Sequence, residues 1–364
     1  MSQPLRLLVP AVLVLLAACT TPVRPKPEPL PSQAVVAPVP AAPPAAAGSS
    51  TVMADASVIP VLDDARREAF TVEAAKASGM APEEVRGWLS QARYQQSIIN
   101  AITRPAEGKA WKDYRPIFLT PARIGQGRTF YAENRSSFDA VSKQTGVPAE
   151  YIVAIIGVET SYGRITGNYR VLDALYTLAF FFPRREQFFR GELVQLFTLA
   201  REEKLDLATL KGSYAGAMGW GQFMPSSYRA FGKDGDGDAR RDLLGSRQDA
   251  IASVANYFVA HGWQAGTPVF VPAVADANAA PFVPPDFVAR YSLADLGSRG
   301  YRPAQAGAPD LPATLLTLEG ANGPEYWIGY QNFYVITRYN RSPMYAMAVH
   351  QLAQEIAAGA SPAP

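Results

Sequence analysis

A run with no charge, YIVAIIG (Tyr151 to Gly157), leads into VETSYG and so sets one carboxylate, Glu159, at the end of an apolar stretch. Helical spacing puts Ile155 and Ile156 on the turn beneath it, and Gly163 is placed to end the helix just beyond. A carboxyl on such a surface is partly desolvated, which disfavours its charged form and raises its pKa. A carboxylic acid still protonated near neutral pH is what a general acid requires. The same residues also fit a solvated or capping glutamate at a helix end, so the local pattern alone leaves both readings open.

Two further stretches carry chemistry. In KGSYAGAMGWGQFMPSSYRAFG (Lys211 to Gly232), glycines at 212, 216, 219 and 221 alternate with Tyr214, Trp220, Phe223 and Tyr228, while Ser213, Gln222 and Ser226 add uncharged hydrogen-bonding groups. Glycine lets a backbone approach a ligand closely, and aromatics beside neutral donors equip a sugar groove; a loosened core turn has the same composition. In DGDGDARRDL, Asp234, Asp236 and Asp238 alternate, the Arg240 carbonyl falls at the seventh position and Asp242 at the ninth, as in an EF-hand-type calcium loop. The sixth position holds Ala239 rather than glycine, the twelfth holds Gly245 rather than a bidentate acid, and Asp249 follows four residues later. A polar turn without metal is the other reading of this segment.

The elements that must position these groups are mostly helical. MAPEEVRGWLSQARY places Pro82 at a first helical position, with Val85, Trp88, Leu89 and Ala92 on one face. Thr120 before Pro121 caps a helix predicted to run to Gly146, and Pro148 opens the helix that carries Glu159, apolar on every side and therefore buried all round. Further helices are expected at about 185–203, 249–261 and 342–357. Residues 268–293 read instead as short β-branched runs broken by prolines, a small sheet or irregular insert.

The N-terminus bears on location. Arg6 precedes the apolar run LLVPAVLVLLAA and then Cys19, the only cysteine. That run is too short to span a bilayer but suits a signal-peptide core, and LAAC resembles the lipobox of bacterial lipoproteins, in which the cysteine is acylated and becomes the first mature residue. A plain secretory signal with an incidental cysteine is the alternative. With Thr20 in the second mature position the pattern resembles outer-membrane sorting. Pro, Ala and Ser dominate from there to about residue 56, a tether extended at about 3 Å per residue.

Composition narrows the classes. Of 364 residues, 48% are hydrophobic and 18% charged, as in an ordinary globular protein. The 34 basic and 32 acidic residues are mixed along the chain, so no basic stripe for nucleic acid is present. Two histidines, His261 and His350, are too few and too badly placed for a zinc site or a serine triad.

GVETSYG, PRRE (Pro183 to Glu186), GSYAGAMGWGQFMPSSY, the Asp-rich loop, DAIASVANYFVAHGW and RYNRSPMYAMAVHQLA follow one another in the order found in the membrane-bound lytic murein transglycosylases of the B type, which the chain resembles from near residue 60 to near 358. The resemblance implies a mainly α fold: a lysozyme-like helical core with an additional helical domain, a small β insert and an EF-hand-like calcium loop. It divides the chain into a lipoprotein signal peptide (1–18), a tether (19–56) and a catalytic region (57–364), with the core at about 110–265 and 311–358 and the insert at about 266–310. It makes Glu159 the single catalytic acid and base. Ser213 and Gln222 match residues beside the acid and in the glycan cleft, Tyr257 an aromatic wall, and Tyr339, Asn340 and Tyr345 groups close to the reacting sugar. Tyr114, Arg184 and Arg185 match positions that line the groove. The metal ligands implied are Asp234, Asp236, Asp238, Arg240, Asp242 and Asp249, with calcium a structural ion and no cofactor required for the chemistry.

The function so implied is cleavage of the β-1,4 bond between N-acetylmuramic acid and N-acetylglucosamine with formation of 1,6-anhydromuramoyl ends. The partner is the peptidoglycan glycan strand, in the periplasm, with lipidated Cys19 in the inner leaflet of the outer membrane; nucleic acid is not a partner and no protein partner is indicated. A hydrolytic muramidase on the same core and a non-catalytic wall-binding lipoprotein are the alternatives.

Overall fold

The computed structural model describes residues 60–103 and 109–359; the signal segment and the whole tether, Cys19 included, lie outside the described residues. At its centre is the helix Ala149–Thr160, in which every residue is buried except Glu150 and Glu159. Pro148 supplies its extended N-cap, as expected. Helices Pro121–Glu133, Arg135–Thr145, Arg247–Ala260 and Pro343–Ala358 pack against it. Their apolar faces merge into one core that includes Ile152, Ile155, Ile156, Val254, Phe258, Met347 and Leu352. A second helical layer follows. Val171–Phe181 packs along Glu186–Glu203, and helices Asp64–Ser78, Pro82–Gln91 and Gln96–Thr103 are arranged around that pair.

Two helical expectations change. The segment predicted as one helix up to Gly146 breaks at Asn134, whose φ of −120° leaves the helical region while its side-chain amide donates to Phe130 O at 2.8 Å. Such local side-chain bonding competes with the helical ladder. Gly146 does end the second piece in a left-handed conformation (φ 70°). The helix Val171–Phe181 was not expected; in VLDALYTLAFF the polar residues Asp173 and Thr177 are themselves buried and give no solvent-facing stripe to read.

The insert is a four-stranded antiparallel sheet. Its order places Tyr301–Pro303 beside Phe270–Ala275, then Gly323–Gly329, then Thr314–Gly320. Phe270 pairs with Gly329 and Leu316 with Trp327. The sheet reaches Gly329, beyond the residue 310 at which the insert was expected to end, because the hairpin 314–329 belongs to it. Side chains alternate between two cores with the pleat. Phe270, Leu316, Leu318 and Trp327 face the helical body, while Val271, Leu315 and Ile328 join Tyr301 and Tyr330 in a separate small cluster. Among the described residues no helix is long and apolar enough to cross a membrane.

Candidate active site

Glu159 stands one residue before the end of the central helix. The helix stops at Thr160, with Ser161 as a left-handed cap, two residues earlier than Gly163. Ser161 (φ 50°), Tyr162 (φ 63°) and Gly163 (φ 79°) are successive left-handed residues, and two of them carry side chains that pay about 1–2 kcal/mol each for it. The turn is held by Thr160, wholly buried, whose Oγ1 accepts from Gly163 N and lies 2.9 Å from Trp220 O in the glycine-rich loop. Gly163 cannot be larger: a Cβ there would stand 2.4 Å from the Trp220 ring.

Glu159 as a whole residue keeps some exposure, while its carboxyl is desolvated. Tyr345, 1% exposed, donates its hydroxyl to Glu159 Oε1 at 2.6 Å. Burial pushes Glu159 up to about 8, against the pull of the Tyr345 hydroxyl, which favours the ionised form. The carbonyl end of the helix works in the same direction as burial. No acidic side chain of the described residues is among the groups that shift it. At pH 7 the carboxyl therefore holds its proton, while an ordinary exposed glutamate has lost it.

Three tyrosines surround this group. Tyr339 and Tyr345 are held well above the ordinary phenol range, first by burial and then by the Glu159 charge, and Tyr114 is raised by the same two causes. Tyr339 donates to Gly221 O at 2.6 Å, an approach that only glycine allows, since a Cβ on Gly221 would lie 2.8 Å from that hydroxyl. Behind Tyr339 stands Tyr257, with ring centroids 4.7 Å apart and its own hydroxyl on Arg338 O. Asn340, 2% exposed, follows directly.

The other expected groove residues lie in neighbouring segments. Ser213 Oγ accepts from Ala217 N at 3.1 Å, closing the first turn of the glycine-rich loop. Gln222 is left-handed (φ 50°), and its amide donates to Thr166 O and Gly219 O, so it ties that loop to the turn after the central helix. Arg184 is exposed. Arg185 lies over the rings of Phe188 and Phe189, beside the buried Glu192.

In the Asp-rich loop the carboxylates of Asp234, Asp236 and Asp249 converge, with ligand oxygens all within 4.8 Å of one another. Ala239 takes the left-handed conformation (φ 68°) that the sixth loop position demands, and its N–H, with that of Gly237, reaches Asp234. Asp238 accepts from Arg240 N, and Asp242 from Leu244 N and Gly245 N. Their carboxylates are not among the three that cluster. Hard oxygen donors gathered in this way fit calcium.

Residues 63–354 match the family described as a transglycosylase SLT domain. The chain is 43% identical over 289 residues to the membrane-bound lytic murein transglycosylase B of Escherichia coli (strain K12), which covers 77% of this chain and 79% of that one. The chain belongs to the transglycosylase SLT family. Among solved structures it is similar to the soluble lytic transglycosylase SltB1 of Pseudomonas aeruginosa, at 48% identity and a TM-score of 0.76 over 81% of this chain and 99% of that one. The Escherichia coli lytic transglycosylase SLT35 in complex with calcium matches at 41% identity and a TM-score of 0.74, covering 80% and 93%. SltB3 of Pseudomonas aeruginosa in complex with NAG-anhNAM-pentapeptide matches at 30% identity and a TM-score of 0.70, covering 81% and 79%. The resemblance read from the motifs and the mainly helical fold it implied are both borne out.

Two residues that shape the family site escaped the sequence reading. Thr160 sat inside a quoted motif, yet its bonds to Gly163 and Trp220 depend on a left-handed turn that no spacing rule announces. Glu192 looked like one more polar position on a long helix, but it is 5% exposed and accepts two hydrogen bonds from Ser226.

Proposed function

We propose that the protein, a peptidoglycan lytic transglycosylase by family, cleaves the β-1,4 bond between N-acetylmuramic acid and N-acetylglucosamine with Glu159 as both acid and base. The observation that carries this reading is the solitary, desolvated carboxyl. A glycosidase that directs water to the anomeric carbon by the common routes uses two carboxyl groups, one as acid and the other as base or nucleophile. Here burial and one tyrosine hydroxyl account for the titration of Glu159, with no acidic partner among the described residues. Protonated Glu159 gives its proton to the glycosidic oxygen as the C1–O bond breaks, and the muramoyl N-acetyl group stabilises the oxocarbenium-like centre. The ionised carboxylate, steadied by the Tyr345 hydroxyl, then takes the proton from the C6 hydroxyl as its oxygen bonds to C1 and closes the 1,6-anhydro ring. The nucleophile is tethered to the centre it attacks, so no water has to be placed. The relative named SltB3 was solved with an anhydromuramoyl fragment, which supports the same product class here.

Tyr114, Tyr339 and Tyr345 are the groups set to line the reacting sugar, with Tyr257 and Asn340 behind them and Ser213, Gln222, Arg184 and Arg185 along the groove. The masses of fragments released from purified sacculi test the reaction: anhydro ends support it, and reducing muramic acid ends favour a hydrolytic muramidase and overturn it.

Calcium is the second part of the proposal. Asp234, Asp236 and Asp249 would hold the ion, which supplies a cross-link between the loop and the helix Arg247–Ala260 and no step of the chemistry. An ion that binds the native state stabilises it by mass action. Millimolar calcium is expected to raise the melting temperature of the wild type but not of Asp236→Ala, with activity retained in both. An unchanged wild-type melting temperature would make the loop a vestigial site.

The third part concerns location. The lipobox-like LAAC and the tether support a periplasmic enzyme held by acylated Cys19 to the inner leaflet of the outer membrane. Cys19→Ala is expected to move the protein to the soluble fraction with its melting temperature unchanged. Recovery of the variant in the outer membrane would remove the lipid-anchor reading.

A further inference from the structure

Glu192 is buried in the middle of the helix Glu186–Glu203, and no step of the reaction uses it. Its Oε1 accepts from Ser226 Oγ at 2.6 Å and its Oε2 from Ser226 N at 3.0 Å, so one carboxylate takes both donors of a residue at the end of the glycine-rich loop. Burial pushes the Glu192 carboxyl up, and the Ser226 bonds and the nearby Arg185 cation oppose it; the Arg185 guanidinium lies 4.2 Å from the Phe188 ring centroid and 5.1 Å from that of Phe189. Tyr214, from the first turn of the same loop, faces that cation too. Thus two separate segments of the groove, PRR and the loop running from Lys211 to Ser226, meet at Glu192.

Burying a carboxylate costs several kcal/mol unless hydrogen bonds and a counter-charge offset it, and a well-packed apolar side chain is often no worse for stability. A charge kept in such a place gains its value from geometry. A carboxylate that accepts two bonds from one residue fixes that residue in direction as well as distance. The charge also acts on the nearby Arg185 guanidinium, which is seated on the Phe188 and Phe189 rings.

We propose that Glu192 is a positioning residue for glycan binding, which locks Arg185 and the Ser226 end of the glycine-rich loop in one fixed relation before substrate arrives. The inference rests on the reading of Arg185 as a groove residue. It assigns Glu192 to binding and leaves proton transfer to Glu159.

The test is a double-mutant cycle in the full chain with soluble glycan strands as substrate. Glu192→Gln and Arg185→Ala are each expected to raise KM about tenfold with kcat within about twofold, since preset contacts of this kind contribute to ground-state and transition-state binding alike. The double variant is expected to be no worse than the poorer single variant, because both changes break one unit. Ser226→Ala, which spares the backbone bond, is expected to raise KM less and to show the same lack of additivity with Arg185→Ala. That milder pair carries the cycle if Glu192→Gln fails to fold. A lowered melting temperature with unchanged KM, or KM effects that multiply in the double variant, would make Glu192 a structural residue and overturn the proposal. An unchanged KM in Arg185→Ala also overturns it by removing that arginine from the groove. This outcome is separable from failure of the proposed chemistry, which Glu159→Gln reads through kcat.

Discussion

Sacculi treated with Glu159→Gln should release less than about one thousandth of the soluble product that the wild type releases in the same time. General acid or base assistance is worth about a hundredfold to ten-thousandfold for each proton transfer, and here one carboxyl performs both. Glutamine keeps the size of the side chain and can still accept from Tyr345, so the groove and its affinity for glycan should survive. The loss therefore falls on kcat, and binding of the variant to intact sacculi serves as the internal control. Wild-type fragments should end in 1,6-anhydromuramoyl residues, each lighter by one water than the hydrolytic product. Substantial turnover by the variant would mean that another group supplies the proton. A wild-type digest made up mainly of reducing ends would mean that water is the nucleophile, and a second carboxylate would then have to be found.

The chemistry in this chain was legible where it is local. The apolar run into Glu159 announced a desolvated acid, and burial does push that carboxyl up to about 8, against the pull of the Tyr345 hydroxyl. The three tyrosines are a different case. Tyr114, Tyr339 and Tyr345 are brought to one carboxyl from opposite ends of the folded body, by helices Trp111–Phe118, Gln331–Tyr339 and Pro343–Ala358. Nothing in their own neighbourhoods marks them, and only the ordered series of family motifs pointed there. Glu192 and Thr160 were missed for the same reason, since their partners Ser226 and Trp220 are long-range.

The metal loop shows the converse. Its spacing named five ligands, Asp234, Asp236, Asp238, the Arg240 carbonyl and Asp242, yet the carboxylate that joins Asp234 and Asp236 is that of the off-pattern Asp249. Asp249 is wholly buried and accepts from Gly235 N and Asp242 N, which ties it to both sides of the loop. A helix N-terminus, capped by Ser246 and reached only after the loop has closed, delivers it there.

Glu159 also carries a stability cost, and Glu159→Gln should reveal it as a gain that grows with pH. In the unfolded chain the carboxyl ionises near its ordinary value of 4.5, whereas in the folded protein burial holds the proton up to about 8. Between those limits the native state binds one more proton than the unfolded state, so stability falls as pH rises, by about 1.4 kcal/mol per pH unit for a fully realised difference. The whole window is worth on the order of 4 kcal/mol, and a residue that keeps some exposure realises about half of that. Glutamine has no charge to desolvate. At pH 4.5 the two proteins should melt together, and at pH 8 the variant should be the more stable by about 2 kcal/mol, or roughly 4 °C for a domain of this size. Melting curves taken in steps across that range would decide it. Parallel curves would mean that folding leaves the proton affinity of Glu159 unchanged, and a variant less stable at pH 8 that the fold favours its ionised form; either way the carboxyl would not hold its proton at neutral pH.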